Sequence, residues 1–120
     1  MIKLGFAYLD GTGVKKNQKT AEHWFTRAAM AGDPDAMLQL GIFFENGEGG
    51  FPQNLTQGYA WLRLAAERYP IGHPRKETSI QLFRWANRSY DAFARQRYFE
   101  LDQKLPKPQP IRATESIEGR

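Results

Sequence analysis

The sequence predicts an all-α fold, a short solenoid of antiparallel helix pairs ending in a degenerate C-terminal helical cap. The first observation behind this is an internal repeat. Leu4-Gly5-Phe6-Ala7-Tyr8, Gly11, Gly13, Asn17, Ala21, Trp24, Ala28 and Ala29 return as Leu40-Gly41-Ile42-Phe43-Phe44, Gly47, Gly49, Asn54, Gly58, Trp61, Ala65 and Ala66. The offset is 36 residues as far as the glycines and 37 after them, with one residue added near Gly50. A period of this size marks stacked helical units, none of which buries its apolar face alone. The second observation is that each copy holds two helical patterns, each with its own start or stop signal. The third is bulk: 120 residues, 41% apolar and 25% charged, suit one globular domain, which buries roughly 65% of its unfolded surface.

In chain order, Met1, Leu4, Gly5 and Tyr8 fall at helical spacing, so Ile2 to Leu9 reads as a short helix. Its twin opens at Asp33-Pro34, with Asp33 as N-cap and Pro34 in the first turn, where a missing N–H costs nothing. The first copy lacks the three matching residues before Met1. Gly11 and Gly47 follow these helices as left-handed C-caps, and Gly13 and Gly49 let the loops turn back. Asn17 and Asn54 start the second helices, about 18–31 and 55–68, and Asn54-Leu55-Thr56-Gln57 fits a capping box. Gly5 and Gly41 bring the helices of a pair together, with Trp24 and Trp61 expected to fill the space beside them. Alanine pairs 28–29 and 65–66 allow the next unit to approach.

From Arg75 to Lys104 the repeat signature disappears while helical periodicity persists. Ile80, Phe83, Tyr90, Phe93, Ala94 and Leu101 share one stripe, and Leu82, Trp85, Ala92 and Phe99 share another. Either this is one long helix touching two surfaces, or it bends near Asn87-Arg88-Ser89 into two. The two-helix form is preferred, since two repeats alone leave a solenoid core uncapped. After Leu105, Pro106-Lys107-Pro108-Gln109-Pro110 is expected to be extended. The final Ile117-Glu118-Gly119-Arg120 matches the recognition sequence of the protease factor Xa and reads as a scar.

Composition narrows the function classes. There is no cysteine, hence no disulfide or thiolate site. The longest apolar runs are far short of a membrane span. Repeat sequence follows Met1 directly, so no signal peptide is read, and the compartment, cytoplasmic or periplasmic, stays open. Net charge is +4, and residues 73–105 carry seven basic groups against four acidic. Carboxylates are interspersed with these, so nucleic acid is not an expected partner. His23 and His73 lack further ligands at metal spacing, and Gly11-Thr12-Gly13-Val14-Lys15-Lys16 lacks the spacing of a phosphate loop. No cofactor or metal site is read, and no serine or threonine has an evident base.

Leu-Gly-x-x-Tyr/Phe, Gly-x-Gly, Asn, Ala/Gly-x-x-Trp and Ala-Ala, as they stand at Leu4–Ala29 and Leu40–Ala66, resemble the Sel-1-like repeat, a relative of the tetratricopeptide repeat. The resemblance covers residues 1–66 well and 67–104 loosely. Gly58 departs from the usual alanine, and Gly50 is an insertion. The resemblance implies a right-handed stack of helix pairs, repeats at about 1–32 and 33–69 with a cap at 75–105, and a non-enzymatic scaffold for protein partners. Such repeats are common in bacterial proteins.

In that architecture the first helix of each pair lines the concave groove. The resemblance therefore points to Phe6, Leu9 and Asp10 in the first copy, and to Asp35, Leu38, Ile42, Glu45 and Asn46 in the second, as the face that binds a peptide or protein partner. The competing expectation is that these side chains simply pack against adjacent repeats. Trp85 and Phe99 on the cap form a second candidate surface. An alternative function is a small-ligand or cell-wall-glycan binding protein or enzyme using a groove between repeats. A deep pocket with convergent buried carboxylates would mark it. An uncovered first helix, with Ile2, Leu4 and Phe6, also suggests self-association or an upstream segment.

Overall fold

The computed structural model describes residues 2–47, 51–86 and 92–106. These form α1 (Ile2–Asp10), α2 (Gln18–Met30), α3 (Pro34–Asn46), α4 (Leu55–Arg68), α5 (Pro74–Ala86) and α6 (Ala92–Lys104), with no strand among the described residues. Consecutive helices α1/α2 and α3/α4 make antiparallel pairs. The second pair is the most extensively packed, and α2 joins the two by packing on α3.

The local chemistry of the two copies is nearly identical. Asn17 and Asn54 are extended N-caps, accepting the backbone N–H of Thr20 at 3.0 Å and of Gln57 at 3.1 Å. Their own N–H groups close the loops by donating to Tyr8 O and Phe44 O at 2.9 and 2.8 Å, the same bond in each copy. At the end of α3, Gly47 sits at φ 71° and donates to Phe43 O, as Gly11 at φ 76° does to Ala7 O; only glycine reaches this region freely. The capping box at Asn54 is half made. Gln57 turns away from the cap, and its Oε1 accepts from Arg97 Nε at 3.1 Å.

The glycines at the crossings do bring the helices together, but the tryptophans are not what fills the space. A Cβ on Gly5 would stand 3.0 Å from the Phe25 ring, and one on Gly41 would stand 2.6 Å from Leu62 Cδ2. The bulk comes from the residue after each tryptophan. Trp61 is buried, whereas Trp24 is half-buried with the Arg27 guanidinium over its ring. Edge-to-face and stacked rings then run from the first copy into the second: Phe6 on Phe25, Phe25 on Phe43, Phe43 on Phe51, and Phe44 on Phe51. The alanine pairs are buried as their spacing requires.

Residues 75–104 contain two helices running in opposite senses along α4. Lys76 near the start of α5 meets the end of α4, where its Nζ donates to Ala66 O and Tyr69 O. Arg97 in α6 meets the start of α4 at Gln57, and Asp102 near the end of α6 meets Arg68 at its end. Among the described residues, α5 and α6 pack on α4 more than on each other. The helix α5 starts at Pro74 rather than Arg75, and its cap is an imidazole: His73 Nδ1 accepts Arg75 N–H at 3.0 Å. The turns expected of Gly49 and Gly50, the bend at Asn87-Arg88-Ser89 and the tail from Lys107 lie outside the described residues.

Candidate functional site

The proposed groove residues divide into those locked in the fold and those left at the surface. Asp35 occupies the first turn of α3, presented there by the Asp33 cap. Its Oδ1 accepts from the Tyr69 hydroxyl at the end of α4 and from Arg75 Nη1 at 2.8 Å in α5. The Tyr69 hydrogen bond, assisted by Arg75, holds the Asp35 carboxyl below the usual carboxylate range. Burial and the same bond push the Tyr69 hydroxyl up. Asp35 is thus a clasp joining three helices, with part of its side chain still exposed.

Further along α3, Leu38 is buried, Ile42 is half-buried, and Glu45 is only 5% exposed. Glu45 Oε2 has no hydrogen-bond partner, and burial raises its carboxyl pKa above the ordinary glutamate value. Space for that oxygen comes from Gly58, whose missing Cβ would lie 2.6 Å from it. Asn46 is exposed at the end of α3. On α1, Phe6 is 37% exposed while its ring meets Phe25, Leu9 is half-buried against the core, and Asp10 is exposed.

The cap candidates lie on different helices, Trp85 on α5 and Phe99 on α6. Trp85 is 51% exposed. Phe99 packs instead beside Tyr98, with Arg63 and Arg95 over its ring. Phe93 and Ile71 are more exposed than either.

A cluster that the periodicity did not single out lies on α4. Arg63 donates to the Tyr59 hydroxyl at 3.1 Å, approaches Glu67 at 3.6 Å and stacks 3.8 Å from the Tyr98 ring centroid. The Tyr98 hydroxyl donates to the other oxygen of Glu67, and burial with this bond raises its pKa. Beside the cluster a cleft of about 400 Å³ opens between α4 and α5, lined by Arg63, Ala66 and Glu67 on one side and by Lys76, Ile80, Phe83 and Arg84 on the other. The i, i+4, i+8 spacing of Tyr59, Arg63 and Glu67 is the sequence signal for the cluster. Nothing in the repeat marks it as a site, because the first copy has Thr26 and Met30 where Arg63 and Glu67 stand.

Serial helix pairs with glycines at their crossings and the same caps in each copy define an α-helical repeat protein. The chain belongs to the Sel1 repeat family, whose model matches residues 1–33 and 34–69. Among curated proteins, it is similar to Protein SHC1 from two strains of Saccharomyces cerevisiae, each 31% identical over 88 residues, with 68% of this chain covered. The chain spans 17% of the length of these relatives. No solved structure matches it. Sel1 repeats generally mediate protein–protein interaction. Among the described residues no helix is long and apolar enough to cross a membrane, and no group of His, Asp or Glu is arranged to hold a metal ion.

Proposed function

We propose that this chain is a non-enzymatic interaction module that binds a peptide or protein partner on the face carried by α1 and α3. The observation supporting this is the exposure of Phe6 at a position that the fold keeps apolar in both copies, with Ile42 as its counterpart. Phe6, Leu9, Asp10, Ile42 and Asn46 supply the contacts. Leu38 and Glu45 lie beneath the surface and shape it, and Asp35 fixes the far end of α3 against α5. Apolar centres with polar edges are how interfaces of this kind gain energy.

The test is capture of partners from the source cells by the wild-type chain and by the Phe6→Ser/Ile42→Ser variant, with circular dichroism as the folding control. A partner retained by the wild type and lost by the folded variant is the expected result. Equal capture by both removes this face from consideration. The glycan-enzyme alternative has less support from the cleft. Its lining holds one carboxylate, Glu67, with both oxygens engaged by Tyr98 and Arg63, and retaining or inverting hydrolysis needs two.

A further inference from the structure

We infer that the cleft between α4 and α5 is a second docking site, for an extended acidic segment of a partner protein carrying an apolar side chain between two carboxylates. This inference is independent of the α1/α3 face and rests on charge and register.

Of the charged groups on the cleft, Arg63 and Glu67 neutralise each other and are held by Tyr59 and Tyr98. Lys76 and Arg84 remain. Lys76 Nζ donates to two backbone carbonyls, which aim its charge without neutralising it and leave one of its three N–H donors free. Arg84 is exposed and makes no ion pair or hydrogen bond among the described residues. The single carboxylate of α5, Glu77, does not line the cleft. The cleft therefore presents net positive charge at both ends of an apolar floor formed by Ala66, Ile80 and Phe83.

Spacing selects the ligand. Lys76, Ile80 and Arg84 stand at i, i+4 and i+8 of α5, so the two cationic side chains leave the helix about 12 Å apart along its axis with Ile80 midway. An extended chain turns residues i, i+2 and i+4 to the same side and covers about 13 Å in those four steps. The pattern acid-x-apolar-x-acid thus sets its carboxylates on Lys76 and Arg84 while its apolar side chain meets Ile80 and Phe83. A single small anion cannot bridge two charges so far apart.

The test is fluorescence anisotropy at low ionic strength with the labelled peptide Gly-Ser-Glu-Ser-Leu-Ser-Glu-Ser-Gly. Controls replace both glutamates by glutamine, or the leucine by glycine. The proteins are the wild type, Arg84→Glu at an exposed position, and Ile80→Ser, each checked for folding by thermal melts. Binding should be saturable, weaken with added salt, fall about tenfold or more in Arg84→Glu, and fall for both control peptides. The proposal is overturned if the acidic peptide does not bind the wild type or binds Arg84→Glu equally. It is also overturned if inorganic phosphate displaces the peptide at equal concentration, which makes the cleft a simple anion site. Self-association of the chain that Arg84→Glu abolishes would overturn it too, by making a second copy the occupant.

Discussion

Gly41 and Glu45 lie one turn apart on α3 and meet Leu62 and Gly58, one turn apart on α4. At Gly41 a Cβ has no room, so Gly41→Ala should destabilise the chain by about 1–3 kcal/mol through overpacking, despite alanine's better helix propensity. Gly5→Ala, whose Cβ would meet the face of the Phe25 ring at 3.0 Å but no backbone atom that close, should cost less than Gly41→Ala, which meets Leu62 Cδ2 at 2.6 Å and its backbone N at 3.1 Å; urea denaturation of the two variants gives the order. At the other contact the first copy has Leu9 with Ala21, and the second has Glu45 with Gly58. The methyl lost from the alanine position is the space that Glu45 Oε2 occupies. Gly58→Ala should therefore destabilise the wild type, and less so in the Glu45→Leu background, where the clash with Oε2 is gone and the α3 backbone at 3.1–3.2 Å remains, a non-additivity that a double-mutant cycle measures. Glu45→Leu itself should stabilise by about 1–3 kcal/mol, because it removes an unpartnered buried acceptor. Since the fold raises the Glu45 pKa, it favours the neutral acid, and stability declines as pH rises above the usual 4.5 and through the raised value. Glu45→Gln should remove that decline, read as the urea midpoint from pH 5 to 8.

At the scale of elements, the tie from Asp35 to Tyr69 and Arg75 holds the start of α3 to the end of α4 and the start of α5. Tyr69→Phe keeps the ring and loses the bond to a charged acceptor, which should cost about 1.5 kcal/mol at neutral pH. Asp35 has a lowered pKa in the fold, so its contribution is full above the usual 3.8 and is lost as pH falls through the lowered value. The Tyr69→Phe penalty should therefore shrink in acid, and midpoints at pH 3 and pH 7 check this. The acid loss at Asp35 and the alkaline loss at Glu45 lie on opposite sides of pH 4–4.5, so the two groups can be assigned separately. Helices α1 to α4 were legible because their ends carry local chemistry: Asn17, Asp33 and Asn54 as caps, Pro34 in a first turn, Gly11 and Gly47 as stops. The start of α5 was less so, because histidine is an uncommon cap. Which side chain faces Gly5 or Gly41 was not legible either. Trp24 and Phe25, like Trp61 and Leu62, are adjacent bulky residues about 100° apart on a helix, and pattern alone does not choose between them. Of the proposed groove, the shared register of Phe6 and Ile42 could be read from the repeat. The burial of Leu38 and Glu45 depends on neighbours distant in sequence, and so could not.

For the whole molecule, α4 is the element on which the rest converges. It pairs with α3, carries both α5 and α6, and holds Arg63 between the rings of Phe83 and Tyr98. The far end of the stack is different. Helix α1 packs mainly on α2, and it leaves Leu4 and Phe6 exposed on the two flanks of the stripe through which Ile2, Tyr8 and Leu9 reach the core. A stacked repeat buries each unit's apolar surface against the next, so an uncovered face of this kind has the composition of the covered ones and the same tendency to be covered. The 120-residue chain alone should therefore self-associate through α1. Multi-angle light scattering across a range of concentrations should show a mass rising above that of the monomer. Leu4→Ser/Phe6→Ser should return it to monomer, with circular dichroism checking that the helices survive loss of the Phe6 ring from Phe25. A monomeric mass for the wild type at every concentration, or association that the double substitution leaves unchanged, would show that α1 is not the contact. The Phe6→Ser variant then separates two uses of one surface. Loss of partner capture in a chain that is already monomeric assigns Phe6 to recognition of another protein, while loss of both together assigns the face to assembly.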